Sequence, residues 1–516
     1  MLSNGRRWAL IGLLAPLLSA PVRAGEEERE ALRLALDGAV QRASGGGLWG
    51  TVLVARGGEV LLEQGYGCAD YLRRPNGPET LFELASVSKQ LTAAAALALR
   101  QDGKLRLETT LGELFPDAPA DKRAITIEQL VTHTAGISPD LGVPYGWPGE
   151  RAEYVRQMLA APLASQPGQR FAYSNVGYAL LAAAIEVASG RAFEDYVHER
   201  LFAPAGMRSS GFVNEARLRD DPRSSSRLDE RGRVSGTATR WMYGWGYRGM
   251  GGAVSTARDL LRWDRALRGE AVLDAASQAE LYRPRLDGYA CGWMVERTRR
   301  GTRLAHHSGG VEGYGAWVAR WLEEDALVVI LSNGRSDLRA VGDALERVLF
   351  PPPRLRLSID AQPYELNRWG ALQLGERAGW EVAAAGEADL ALRLVDPQRE
   401  HAVASLELPR SAGEALATRL EEALAAQVGG RDDDSIDAGL YLGNYQLDQG
   451  RLAREGPGLT VEVAPEYRGQ DQQGRAVVDK RVLLVIADEE EGAWPVMVLQ
   501  GRARARRLIE ALRAAR

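Results

Sequence analysis

Two groups of strand-like runs flank a long helical stretch, and each group lacks a partner of its own. Leu48 to Arg56 and Glu59 to Gly67 read as two strands turned at Gly57-Gly58, a hairpin by its turn chemistry. From Ser88 to about Ala205 the pattern is mostly helical, with alanine-rich stretches stopped by Gly103 and Gly190. Asp220 to Arg248 is polar and loop-like. Strands return at Ala290 to Arg297, Thr302 to Ser308, Gly313 to Trp321 and Ala326 to Ser332, joined by connections short enough to favour an antiparallel meander. The expected fold class is therefore α/β (α+β): one antiparallel sheet built from N- and C-terminal pieces and covered by the helical middle.

A chain of 516 residues exceeds what one core usually organises. Its first domain is expected to span 25–350 and to close at Pro351-Pro352-Pro353. Beyond it, 354–430 reads as an α+β accessory region, with strands at Leu355 to Asp360, Ala388 to Val395 and Ala402 to Leu408 and a helix at Ala412 to Val428. A glycine- and aspartate-rich break at 429–434 is expected to separate it from 435–516, a region of strands with a final arginine-rich helix. The N-terminus carries Arg6-Arg7, an apolar run from Trp8 to Pro21 and small residues at Val22 and Ala24, the pattern of a signal peptide over 1–24. A periplasmic or secreted protein is expected, exported by the general or the twin-arginine route, with no other segment able to span a membrane. A net charge of -5 argues against nucleic acid as a partner. Export permits a disulfide, but Cys68 and Cys291 both lie in strand-like runs and read as small buried thiols.

Three short constellations carry chemistry. Ser86-Val87-Ser88-Lys89 follows the strand-like Leu81-Phe82-Glu83-Leu84 and opens a helix through Leu91, Leu97 and Leu99. An offset of three puts hydroxyl and amine on one helical face. The first turn favours negative charge on the serine oxygen, and a lysine whose pKa burial has lowered can take its proton. Only four lysines, at 89, 104, 122 and 480, stand among 64 basic residues, and arginine cannot replace one that must give up a proton. In Phe171-Ala172-Tyr173-Ser174-Asn175, an extended segment aims Tyr173 and Asn175 to one side, a phenol for proton transfer and an amide to hold a substrate carbonyl. His307-Ser308-Gly309-Gly310 stands at a strand end, where glycine lets a substrate backbone approach, and alternation sends His306 to the opposite face from His307.

In this order, the three elements resemble the serine β-lactamase and penicillin-binding family, in its class C and D-aminopeptidase-like branch. The resemblance covers roughly Leu48 to Leu349 and extends to Leu130-Val131-Thr132-His133-Thr134-Ala135-Gly136 and to the run from Gly251 to Leu260. It implies a transpeptidase-like fold, Ser86 as acylated nucleophile, Lys89 and Tyr173 as its proton-handling partners, and Asn175 with His307, Ser308, Gly309 and Gly310 as substrate-binding residues. The backbone amides of Ser86 and Gly310 would form the oxyanion hole. No metal or organic cofactor is implied. The substrates implied are small D-amino-acid peptides, β-lactams or esters, with peptidoglycan among the partners. A binding or sensing protein that acylates with little turnover is the alternative. Typical β-lactamases have lysine where this chain has His307, which argues against efficient antibiotic hydrolysis. Because an imidazole attracts a carboxylate only when protonated, binding of carboxylate-bearing substrates is expected to depend on pH. His133 reads as a buried structural histidine rather than a catalyst.

Overall fold

The computed structural model describes residues 20–351 apart from 229–233, 299 and 335, and beyond 351 the strands and helices named below. Strands β1 (Gly50–Arg56) and β2 (Glu59–Tyr66) form the first hairpin, with Gly57 and Gly58 both at positive φ, as its two-residue turn requires. The meander comprises β3 (Met294–Arg297), β4 (Arg303–Val311), β5 (Tyr314–Trp321) and β6 (Ala326–Ser332). Pairing of β1 with β6, from Gly50 opposite Ser332 to Arg56 opposite Ala326, joins the two groups into one antiparallel sheet of order β2-β1-β6-β5-β4-β3.

Both faces of this sheet are covered, so its central strands are apolar throughout rather than alternating. Leu53, Ala55, Val318, Val329 and Leu331 join the core of the helical middle. The opposite face packs on helices α1 (Ala20–Ala43) and α5 (Leu338–Leu349), where Gly342 lies against the Trp317 ring and Trp321 donates to Glu346 at 3.2 Å. The expected leader falls mostly outside the described residues, and α1 runs through Ala24. In the middle, α2 (Ser88–Gln101) is buried from Ser88 to Leu99 and packs on α3 (Asn175–Ser189), buried from Val176 to Ile185. Their alanine runs follow from this position, because helices buried on all sides need small residues to approach one another. Helix α4 (Ala257–Arg268) packs on strands β1 and β6, and its Trp263 donates to Gln90 of α2 at 3.0 Å. Among the described residues no single helix is long and apolar enough to cross a bilayer.

The chain divides into two compact units, the first closing at Leu349 and the second comprising Phe350–Arg516 with Thr298–Gly301. The second holds two five-stranded sheets and the helices Arg410–Ala426 and Arg502–Ala514. Its strand pairing corrects the separation expected at 429–434, a run that itself lies outside the described residues. Leu355–Asp360 pairs with both Ala404–Pro409 and Arg451–Gly456, and Ala371–Gln373 pairs with Gly439–Tyr441. Turn-forming composition marks a connection but does not distinguish a loop within a unit from a linker between units. A chain ending at Leu349 is expected to stay soluble and to unfold in one cooperative thermal transition by circular dichroism. Its insolubility beside a well-behaved full-length protein would show that the later residues complete the first core.

Candidate active site

The segment Phe82–Glu83 pairs with Ala253–Ser255, and Leu84 N donates to Ala253 O at 2.8 Å. The chain then turns sharply through Ala85–Val87 into α2, with Ala85 held at φ 46, a left-handed conformation that costs a non-glycine residue about 1–3 kcal/mol. The turn brings Ser86 to the surface, and it alone is not buried from Thr80 through Leu99.

Lys89 lies one turn into α2 and is fully buried. Its Nζ is 3.1 Å from Ser86 Oγ, 2.9 Å from Asn175 Oδ1 and 2.8 Å from Met250 O. Burial holds its pKa well below the ordinary lysine value. The two carbonyl oxygens can only accept, so a neutral amine spends both N–H groups on them and turns its lone pair toward the serine hydroxyl. The segment that supplies Met250 is fastened along α2, with Thr92 Oγ1 donating to Gly249 O at 2.6 Å and Ala253 N donating to Ser88 Oγ at 3.1 Å. Gly249, at φ 77, admits the close approach, since a Cβ there would stand 2.6 Å from Tyr178 O.

Tyr173 and Asn175 flank Ser174, whose extended backbone and side chain cap α3 by accepting from Gly177 N at 2.9 Å. Burial pushes the Tyr173 phenol up to about 12 against the lowering influence of the Ser86 hydroxyl, so it stands protonated at neutral pH. Lys89 Nζ also lies 4.8 Å from the centre of its ring.

His307 faces this group and His306 the opposite side, where it meets Trp317 and Glu296. The role expected for His307 changes. Its Nδ1 lies 2.6 Å from Ser308 O, an acceptor only, so Nδ1 carries the proton and Nε2 accepts from Tyr289 Oη at 3.0 Å. Burial first, and then the nearby Lys89, push its pKa down to about 3. Both ring nitrogens are engaged and the ring is neutral, so the pH-dependent attraction of carboxylates expected from the sequence has no group to carry it. Gly309 lies against the nucleophile turn, where a Cβ would stand 2.2 Å from Leu84 O, whereas a Cβ at Gly310 would meet nothing within 4 Å. Ser308 opens with His306 onto a groove of about 810 Å³ bordered by Tyr314, Trp317 and Arg339. His133 is buried, as its sequence context implied; Cys68 and Cys291 are both free thiols, Cys291 buried as expected but Cys68 only half-buried.

Sequence reasoning missed the support beneath the Ser86 turn. Glu83, fully buried, accepts from Tyr247 Oη and from Arg227 Nη2, the latter at 3.1 Å. Burial pushes its carboxyl up to about 7 against the pull of both partners. A charged residue inside Leu81-Phe82-Glu83-Leu84 was the available sign, while Arg227 was hidden in a stretch that reads as an exposed loop.

A serine at a sharp turn, a buried amine against its hydroxyl and a phenol beside both, on this mixed fold, define a serine hydrolase. A family model described as Beta-lactamase matches residues 36–349, and the chain belongs to that family. It is 31% identical over 336 residues to a penicillin-binding protein of Bacillus subtilis (strain 168), covering 59% of this chain and 73% of that protein. It is 28% identical over 284 residues to a D-aminopeptidase of Brucella anthropi, covering 51% of this chain and 52% of that protein. The solved structure of a penicillin binding protein from Bacillus halodurans matches with a TM-score of 0.53 at 27% identity, over 60% of this chain and 98% of that one.

Two outcomes follow. Gly309→Ala should cut turnover about a hundredfold or more, because the strand edge must move away from the nucleophile turn, while the thermal midpoint changes little; wild-type turnover would show that the edge is not held there. The histidines set a pH dependence of stability. His307 and His306 are held near 3 and 4, and His133 well below 6.5, so as pH falls from about 6.5 the unfolded chain binds more protons than the folded one. Their contribution is complete above 6.5 and drains below it, at up to about 1.4 kcal/mol per pH unit each. Glu83, raised to about 7, works in the opposite sense above 4.5 and offsets one of the three. The thermal midpoint should therefore fall between about pH 6.5 and 5; a flat midpoint would mean that these rings are not held neutral.

Proposed function

We propose that the chain is an exported hydrolase that forms an acyl-enzyme on Ser86 and cleaves amide or ester bonds. The observation that carries this reading is the placement of Lys89, whose neutral amine has only the serine proton left to accept. In the proposed cycle Ser86 Oγ attacks the substrate carbonyl as its proton passes to Lys89. The amides of Ser86 and Gly310 receive the oxyanion, and losing one such donor typically costs about a hundredfold or more. The carbon–nitrogen or carbon–oxygen bond breaks, and the proton travels from Lys89 by way of the Tyr173 phenol to the leaving group. Water then attacks the ester by the same route in reverse, giving acid and free serine. Asn175 Oδ1 is engaged with Lys89, which leaves its Nδ2 as the group to hold a substrate carbonyl.

D-amino-acid peptides, β-lactams and simple esters are the substrate classes we propose, supported by the names of the penicillin-binding protein and the D-aminopeptidase to which the chain is similar. Peptidoglycan stems belong to the first class. A neutral His307 supports a site that offers no charge at that position, and so one that serves uncharged esters and amides at least as well as carboxylates. Export to the periplasm or beyond is proposed on the basic start, the apolar run and the small residues ending at Ala24.

The purified protein, exposed to a fluorescent penicillin and to a p-nitrophenyl ester, should release nitrophenol steadily and show a transient adduct on the Ser86 peptide by mass spectrometry. Ser86→Ala should lower ester turnover about a thousandfold or more without unfolding, and Lys89→Arg almost as much, since guanidinium keeps its proton. Turnover that survives Ser86→Ala would remove the nucleophile assignment, whereas a stable adduct without release would mark a penicillin sensor.

A further inference from the structure

His133 has no part in the chemistry above, yet it brackets Tyr173. Its carbonyl oxygen accepts from Ala172 N at 2.8 Å, and its Nδ1 accepts from Ser174 N at 3.0 Å, so the residues on both sides of the phenol are tied to one histidine. Its ring lies 4.2 Å from the Tyr173 ring at an interplanar angle of 37°. We propose that His133 is the positioning residue for Tyr173, fixing the direction of the phenol toward Ser86 by holding the backbone on either side of it. The inference rests on the reading of Tyr173 as a proton-handling group.

The bonding specifies one tautomer. A backbone amide can only donate, so Nδ1 presents its lone pair and the proton of the neutral ring stands on Nε2. Among the described residues Nε2 has no hydrogen-bond partner, and the ring is enclosed by those of Phe171, Tyr178 and Tyr289, with centroids 5.9, 4.8 and 4.6 Å away. A charged ring would lose the bond to Ser174, and desolvation opposes it. The backbone at His133 is left-handed, with φ 56, a conformation that glycine, asparagine and aspartate adopt more readily than histidine. Turn formation alone would be better served by those residues. Histidine adds an acceptor at Nδ1 and a flat ring at the back of the phenol.

Two substitutions in the full-length chain separate orientation from packing. His133→Asn keeps an acceptor at similar reach and suits the left-handed backbone, whereas His133→Phe keeps a ring and removes the acceptor. With a p-nitrophenyl ester, His133→Asn should retain kcat within about threefold, while His133→Phe should lose about tenfold or more in kcat at a KM little changed. The thermal midpoint of His133→Phe should fall no further than that of His133→Asn. Wild-type kcat in His133→Phe, or equal loss in both variants, would overturn the proposal. A measurement on the unaltered protein needs neither variant: nitrogen-15 spectra of the imidazoles should show His133 neutral with its proton on Nε2 between about pH 6 and 8. A proton on Nδ1 would exclude the bond to Ser174 and end the proposal. Ser86→Ala run alongside distinguishes the two levels. Activity that depends on Ser86 but is indifferent to the His133 acceptor sinks this inference alone, and activity independent of Ser86 sinks the reading of the site beneath it.

Discussion

The site depends on burying an amine beside groups that cannot neutralise it. The polar neighbours of Lys89 Nζ are a hydroxyl, a side-chain amide and a backbone carbonyl, and the only cause lowering its pKa is its own desolvation. An unpaired ammonium in such surroundings costs several kcal/mol, and the group responds by giving up its proton. A carboxylate at the same distance would hold the charge and abolish the base. The three partners come from separate segments, at Ser86, Asn175 and Met250, so the geometry exists only once the helical middle has closed around α2. This accounts for a helix buried from its first residue to Leu99, unusual for one that begins at an active site.

The nucleophile turn has its own support, and it follows the opposite rule. Glu83 and Arg227 are both fully buried and paired, with the guanidinium 3.5 Å from the centre of the Trp241 ring. Replacing such a pair with apolar residues often costs nothing, but removing one member strands a charge and typically costs about 3–5 kcal/mol. The pair therefore does less for net stability than for uniqueness. Glu83 lies three residues before Ser86, on a strand only two residues long, and the bonds from Arg227 and Tyr247 fix that strand where its ladder is too short to do so. The left-handed turn at Ala85 then has a fixed starting point.

Much of this was legible in the sequence, and the reason differs from one element to the next. A single antiparallel sheet followed from connection length, since four strands joined by a few residues each are neighbours, but which end of that meander the hairpin pairs with did not. Ser86 and Lys89 could be found because helical spacing places them and because lysine is scarce. Tyr173 and Asn175 could be found because alternation in an extended segment is independent of context. The carbonyl of Met250 could not, since any residue has one and only the closed fold selects it. The charge state of His307 was equally hidden, because it depends on Tyr289 and on desolvation, both products of tertiary packing. The run from Gly251 to Leu260 was visible as a pattern, but its use, tied to α2 through the bond from Ala253 N to Ser88 Oγ, was not.

The electrostatics of the site constrain where a proton can rest. Lys89, His133 and His307 lie close enough that a charge on Lys89 lowers both imidazoles, and burial lowers all three. In the proposed cycle Lys89 becomes an ammonium when Ser86 is acylated, and at that moment the histidines are least able to take the proton from it. Asn175 Oδ1, Met250 O and the face of the Tyr173 ring steady the transient charge without binding it permanently. In that cycle the protonated phenol of Tyr173 is the neighbour that accepts a proton and releases another in the same step. The proposed route for the proton therefore runs through Tyr173 toward the departing group. The two buried histidines, held neutral by desolvation, take no proton in that cycle and line the site as neutral walls.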